Sequence, residues 1–254
     1  MYAIMALFGV FASGIYVTQI CKKNGKDDSE GIIFLLIISA GMFLGSHILY
    51  AIVNYRILFT VINNIQKINS FQAFLETAVL IAGGSVFYGG LLGGLLTAKI
   101  IVLKKPRYEY LFDIATPAIP LFHFFGRIGC FLGGCCYGIE SKFGVTFRRS
   151  LVEKANGVNR FPVQLLEALV CLLLFFILDY LRKKKFFKGH LIYLYLLIYS
   201  VVRFFMEFIR GDEYRGLFFG LSTSQIISIA IFCVVAPKTY VFLKNRNRQP
   251  AITE

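Results

Sequence analysis

His123-Phe-Phe-Gly-Arg-Ile-Gly-Cys-Phe-Leu-Gly-Gly-Cys-Cys-Tyr-Gly138 is the stretch on which the reading of this chain turns. It sets one arginine, five glycines and three cysteines into an apolar segment. A lipid-facing helix does not take that mixture. An arginine at membrane depth is costly and marks a site. Repeated glycine weakens a helix and lets other atoms approach its backbone. The stretch therefore places Arg127 in a polar cavity inside a membrane protein, where it binds an anionic head group.

Outward from that stretch, the 254-residue chain is 57% hydrophobic and only 16% charged. Several apolar runs reach the ~20 residues that cross a bilayer. Runs of that length exclude β-barrel strands, which are shorter and alternate. No polar stretch is long enough to hold a soluble core. The expected fold is all-α, a polytopic integral membrane protein with about seven transmembrane helices and a broken, glycine-rich fourth span. Residues 1–254 are expected to form a single transmembrane helical bundle.

The spans are expected near Tyr2–Ile20, Gly31–Val53, Thr77–Leu103, Leu111–Cys135, Pro162–Leu181, Leu191–Ile209 and Leu217–Leu243. Pro117 and Pro120 break the fourth, and Pro162 opens the fifth, a normal helix start. Residues 54–76 mix Asn54, Arg56, Asn63, Asn64, Gln66 and Lys67 with aliphatics, the pattern of an interfacial amphipathic segment. Residues 139–160 are polar and form an extramembrane loop. Gly211-Asp-Glu-Tyr-Arg-Gly216 is another loop. The apolar N-terminus lacks a basic n-region and a small-residue cleavage site, so it reads as a retained helix.

The net charge of +13 is a topology signal, not a sign of nucleic acid, because the basic residues cluster between apolar runs. With seven spans, the side of the C-terminus carries 14 basic loop residues and the opposite side 9. The positive-inside rule then puts the C-terminus in the cytoplasm and the N-terminus outside. The loop near 139–160, and with it the polar end of the opening stretch, faces outward.

Three further motifs bear chemistry. In Arg203-Phe-Phe-Met-Glu207-Phe-Ile-Arg210, helical spacing puts Arg203, Glu207 and Arg210 on one face. Two arginines against one carboxylate leave a positive surplus, and with Arg127 they suit a phosphate. In Gly83-Gly-Ser-Val-Phe-Tyr88-Gly-Gly-Leu-Leu-Gly-Gly94, Gly89/Gly93 and Gly90/Gly94 are small-xxx-small pairs made for close helix contact. Tyr88 among them is either a hydrogen-bond donor to substrate or an interfacial aromatic. Gln164 and Glu167, three apart, share a face at the entry to the fifth span, as site residues or as a helix start. His47 and His123 lie within spans and read as hydrogen-bonded packing residues. Cys130, Cys135 and Cys136 offer soft metal ligands or a redox pair, but the paired C-x-x-C pattern is missing and no metal or cofactor is assigned. Cys171 and Cys233 read as small packing residues.

Taken in order, these motifs resemble the bacterial prolipoprotein diacylglyceryl transferase family. The resemblance rests on Gly126-Arg127-Ile-Gly129-x-Phe131-x-x-Gly134-x-x-x-Gly138, on Gly89-Gly90, on Arg160-x-Pro162-x-Gln164-Leu165-x-Glu167 and on Arg203-x-x-x-Glu207-x-x-Arg210. Gly45-Ser-His47-Ile-Leu-Tyr50 is similar to a further family motif, and Gln225 and Ser228 fit the last span. The resemblance implies a seven-span, N-outside protein of the bacterial plasma (inner) membrane. It implies transfer of the diacylglyceryl group of phosphatidylglycerol to the lipobox cysteine thiol of a prolipoprotein signal peptide, with glycerol phosphate released. It makes Arg127, Arg203, Tyr88 and Glu207 the catalytic residues. Arg127, Arg203, Arg210, Gly89, Gly90, Gln164 and Glu167 would hold phosphatidylglycerol.

The chain differs from the family at four places. Cys130 and Cys135 stand where asparagine and glutamate are common, Tyr88 where a histidine is usual, and His47 where an arginine is usual. A tyrosine, with an ordinary pKa near ~10, is a poor base at neutral pH. Two rival readings follow. One is a paralogue with the same phospholipid pocket but another acceptor or a thiol-redox role. The other is a non-enzymatic phospholipid-binding protein, for which the inverted repeats common in transporters are not evident.

Overall fold

The computed structural model describes residues 2–64, 66, 69–82, 86–150, 152–212, 217–218 and 220–248. In chain order the helices are α1 (Tyr2–Lys23), α2 (Asp28–Val53), α3 (Tyr55–Asn63), α4 (Phe71–Ala82), α5 (Phe87–Lys104), α6 (Glu109–Ala115), α7 (Ala118–Gly133), α8 (Val163–Lys183), α9 (Leu191–Met206) and α10 (Thr223–Arg248). Three short strands join them: β1 (Glu140–Val145), β2 (Leu217–Phe218) and β3 (Leu221–Ser222). Among the described residues, α1, α2, α5, α8, α9 with its last turn, and α10 are long and apolar enough to cross a membrane. Counting the bent pair around α6 and α7 as one span gives seven. The protein is an all-α, polytopic membrane protein.

The chain forms two compact units, Ile32–Tyr108 and the remainder. Within Ile32–Tyr108, α2 and α5 meet through bare backbone. A Cβ added at Gly45 would collide with the Gly89 carbonyl oxygen, and one added at Gly89 would collide with that of Gly45. A Cβ at Gly93 would likewise strike the Gly41 carbonyl oxygen. The expected Gly89/Gly93 pair thus has a matching pair, Gly41/Gly45, on α2. A bulkier residue here meets backbone, which cannot rotate aside. Gly45→Val should therefore destabilise by at least the ~1–3 kcal/mol typical of overpacking. The check is thermal unfolding in detergent, with Gly14→Ala as control, because nothing lies within 4 Å of a Cβ there.

The third span begins later than expected. Instead of one helix from Thr77, α4 ends at Ala82 and α5 starts at Phe87. Val86 is extended, with φ −113° and ψ 119°, and its N–H donates to Ser46 O at 3.2 Å. An extended residue cannot carry a helix through. Gly83 and Gly84 of the glycine run, Lys67 of the amphipathic segment and 213–216 of the second loop lie outside the described residues.

In the larger unit α7 packs against α1 and α8, and α9 against α10. Gly9 lets the Phe122 carbonyl of α7 come close to α1, and Ser13 Oγ donates to Ala118 O at 3.2 Å. The expected break in the fourth span is real: the segments on either side of Thr116 and Pro117 are inclined by 42°. Proline has no N–H for the helical ladder and its ring crowds the preceding turn. At its other end α7 closes in a Schellman motif. Gly134 is left-handed at φ 67°, its N–H reaches Phe131 O, and Cys135 N–H reaches Cys130 O at 3.1 Å.

The loop after α7 is more ordered than its polar composition suggests. Backbone bonds tie three segments together: Gly138 N–H to Phe161 O, Phe161 N–H to Ile139 O, Ile139 N–H to Ile209 O and Gly211 N–H to Tyr137 O, at 2.9 to 3.2 Å. A Cβ on Gly138 would collide with the Phe161 carbonyl oxygen, so glycine is required there. The Arg160 guanidinium sits 4.3 Å from the centre of the Tyr137 ring. The entries to α8 and the exit of α9 are thereby fixed against the end of α7.

Candidate active site

Arg127 lies one helical turn after His123 on α7, and both are buried. The Arg127 Nε–H donates to His123 Nε2 at 3.1 Å. A ring nitrogen that accepts a bond from a guanidinium has no proton of its own, so the proton is assigned to Nδ1. Nδ1 lies 3.4 Å from Cys171 Sγ on α8. His123 is thus neutral and orients the arginine. Its 3.7 Å approach to Glu167 is then not an ion pair.

Glu167 is the partner that charge needs. Its Oε1 is 3.0 Å from Arg127 Nη2 and accepts from Tyr199 Oη of α9 at 3.1 Å. It is buried on α8 one turn after Gln164, which is also buried, so the two do share a face. Gln164 Nε2–H donates to Cys135 O at 2.8 Å, holding the end of α7 to the start of α8.

Arg203 and Glu207 stand one turn apart near the end of α9, with Nη2 3.0 Å from Oε2. Arg203 Nη2 also donates to Ser224 Oγ of α10 at 3.1 Å. Its other terminal nitrogen, Nη1, is buried with no hydrogen-bond partner among the described residues. This buried guanidinium donor is available to a further acceptor. Glu167 feels the charges of Arg127, Arg203 and Arg210, so α7, α8 and α9 with the turn that follows it bring these groups into one electrostatic neighbourhood.

Two expectations meet a different geometry. Arg210 does not continue the helical face of Arg203 and Glu207. After Met206 the chain tightens into a 3-10 turn over Glu207–Ile209, and Arg210 is extended at ψ 141°. It grips Asp212 with two bonds, Nε to Oδ1 at 3.0 Å and Nη2 to Oδ2 at 2.7 Å. Burial works against the charged guanidinium, but the Asp212 bonds outweigh it and hold the Arg210 pKa above its ordinary value. The expected charge surplus is also cancelled in this state. Glu167, Glu207 and Asp212 balance Arg127, Arg203 and Arg210 one for one.

Tyr88, Gly89 and Gly90 belong to the unit Ile32–Tyr108, where they are buried on α5. Tyr199 and Ser224, which contact Glu167 and Arg203, had no signal in the sequence. The His123–Arg127 pair did, in its spacing of four. An open groove of about 540 Å³ lined by His190, Tyr193, Lys238 and Phe242 lies elsewhere. His190 precedes the first residue of α9, thirteen positions from Arg203 and roughly 20 Å along the axis.

Comparison with known proteins agrees with this architecture. The family profile described as prolipoprotein diacylglyceryl transferase matches residues 1–240. The phosphatidylglycerol–prolipoprotein diacylglyceryl transferase of Clostridium tetani is 34% identical over 233 residues, 90% of this chain and 87% of its own. The second such transferase of Clostridium perfringens is 35% identical over 235 residues, 91% and 86% of the two chains. The Campylobacter hominis transferase is 30% identical over 250 residues, 96% and 86%. The buried arginines on α7 and α9, the glycine-rich signature between them and the helical membrane scaffold therefore have one source: the chain belongs to the prolipoprotein diacylglyceryl transferase family.

Proposed function

We propose that this protein transfers the diacylglyceryl group of phosphatidylglycerol to the lipobox cysteine thiol of prolipoproteins. Family membership supports the reaction class. The single structural observation that carries the site is the buried, unpartnered Nη1 of Arg203 beside the Arg127–Glu167 pair. A phosphodiester takes the donors that the carboxylates do not, and arginine's planar fork suits it. The thiol sulfur attacks the glyceryl carbon that carries the phosphate. A carbon–sulfur bond forms, the carbon–oxygen bond to phosphate breaks, and its electron pair leaves with glycerol phosphate. The thiol proton leaves to water; Tyr88, in the unit Ile32–Tyr108, is carried as a catalytic residue on the family resemblance alone.

Arg127 and Arg203 bind the phosphate and stabilise the negative charge that grows on it as the bond breaks. Glu207 and Glu167 orient the two guanidinium groups. Arg210 and Gln164 complete the phosphatidylglycerol site in the larger unit, and the family resemblance alone adds Gly89 and Gly90. The chain works in the bacterial plasma membrane, with the N-terminus outside and the C-terminus in the cytoplasm. Prolipoprotein signal peptides then reach it from within the bilayer.

The test is expression in cells depleted of their own transferase. Labelled diacylglyceryl should appear on a lipobox peptide and be absent when its cysteine is serine. If no label is transferred while mass spectrometry finds phosphatidylglycerol bound to the purified protein, the phospholipid-binding reading replaces this one.

A further inference from the structure

Cys130, Cys135 and Cys136 have no part in the Arg127–Glu167 and Arg203–Glu207 clusters, yet they converge. Their Sγ atoms all lie within 4.8 Å of one another, and all three are free thiols. Metal–thiolate bonds of ~2.3 Å around one ion place sulfur atoms about 4 Å apart, so small side-chain rotations close the set on a cation.

The backbone is shaped for this convergence. The Schellman motif that ends α7 bonds Cys135 N–H to Cys130 O and so folds residue 135 back over residue 130. Cys136 then adopts φ 55°, a left-handed conformation that side chains with a β-carbon avoid at a cost of ~1–2 kcal/mol. Surroundings that hold a non-glycine residue there over-determine its position. Gln164 pins Cys135 O at 2.8 Å from the α8 side.

The charges also fit. Three thiolates leave a net charge of −1 around Zn²⁺ and −2 around Cu⁺. The Arg127 and Arg210 guanidiniums lie within electrostatic reach of Cys136, although each also faces a carboxylate, Glu167 or Asp212.

We propose that Cys130, Cys135 and Cys136 form a three-thiolate site for a soft d¹⁰ cation, Zn²⁺ or Cu⁺, at the end of α7. Soft sulfur ligands select such ions over Mg²⁺ or Ca²⁺. Binding releases the thiol protons to water and leaves the coordination three-fold, or open at a fourth position, among the described residues. The test of this site does not read the transfer reaction.

The full chain is purified in detergent, reduced, and titrated with Cd²⁺ as optical probe and with Zn²⁺ and Cu⁺ against chelators of known strength. The expected result is a single bound ion per chain, with a thiolate-to-cadmium charge-transfer band. Cys130→Ser, Cys135→Ser and Cys136→Ser should each weaken binding on the order of 10–100-fold or more, while Cys233→Ser leaves it unchanged. The chelator competition decides between Zn²⁺ and Cu⁺. Alkylation mapped by mass spectrometry tests the same point on the unaltered chain: Zn²⁺ should protect Cys130, Cys135 and Cys136 but not Cys233. No stoichiometric binding, no protection of these thiols, or equal binding by the triple variant would overturn the proposal.

Discussion

Arg127→Ala should abolish diacylglyceryl transfer and also loosen the fold, and the two losses can be separated. Removing the guanidinium takes away one preorganised donor for the leaving phosphate, an effect typically of ~10²–10³ in rate. It also strands Glu167, whose Oε1 keeps the Tyr199 hydroxyl but loses the guanidinium and whose charge is buried. Breaking a buried pair from one side costs about 3–5 kcal/mol, because the remaining charge is uncompensated. Neutralising that charge as well, in Arg127→Ala/Glu167→Gln, should return most of the thermal stability and none of the activity. Measuring melting in detergent beside turnover on a lipobox peptide makes the distinction. Recovery of activity in the double variant would show that Arg127 serves only to neutralise Glu167.

Arg203→Lys is the second large effect, and it should fall on turnover with little change in stability. Lysine keeps a positive charge one turn from Glu207 and can still reach its carboxylate. It lacks the second prong that Nη1 supplies. If that prong meets the phosphate as charge develops, kcat falls by about 10²-fold while KM for phosphatidylglycerol changes less. Melting temperature should stay within a few degrees of the parent. A loss confined to KM would assign Arg203 to ground-state binding, and an unchanged rate would remove it from the site.

What the sequence made legible follows from how far apart the interacting residues are. Helical spans announce themselves through local apolar runs, and Pro117 announces its own bend. The pairing of His123 with Arg127 is readable from a spacing of four. The Arg127–Glu167 pair is not, because forty residues and a folded loop separate its members. Counting charges within one motif therefore suggested a surplus that Glu167 and Asp212 cancel. The helical spacing that put Arg210 beside Glu207 assumed a helix past Met206, where the backbone tightens and then extends instead. The α5 glycines predicted a close contact correctly. Their partners, Gly41 and Gly45, became visible only once α2 lay against them.

The backbone ties around Gly138 have a consequence for how slowly this region opens. Amide protons in connecting loops usually exchange with solvent quickly, since their hydrogen bonds open without unfolding anything larger. Here the amides of Gly138, Ile139, Phe161 and Gly211 are bonded across three chain segments. None can open alone without releasing the approach to α8 or the exit of α9. In deuterated buffer they should form an island of slow exchange outside the apolar spans. A clasp of that kind helps to fix the spacing between the arginines of α7 and α9 through main-chain atoms, which asks little of the side chains at 139 and 209.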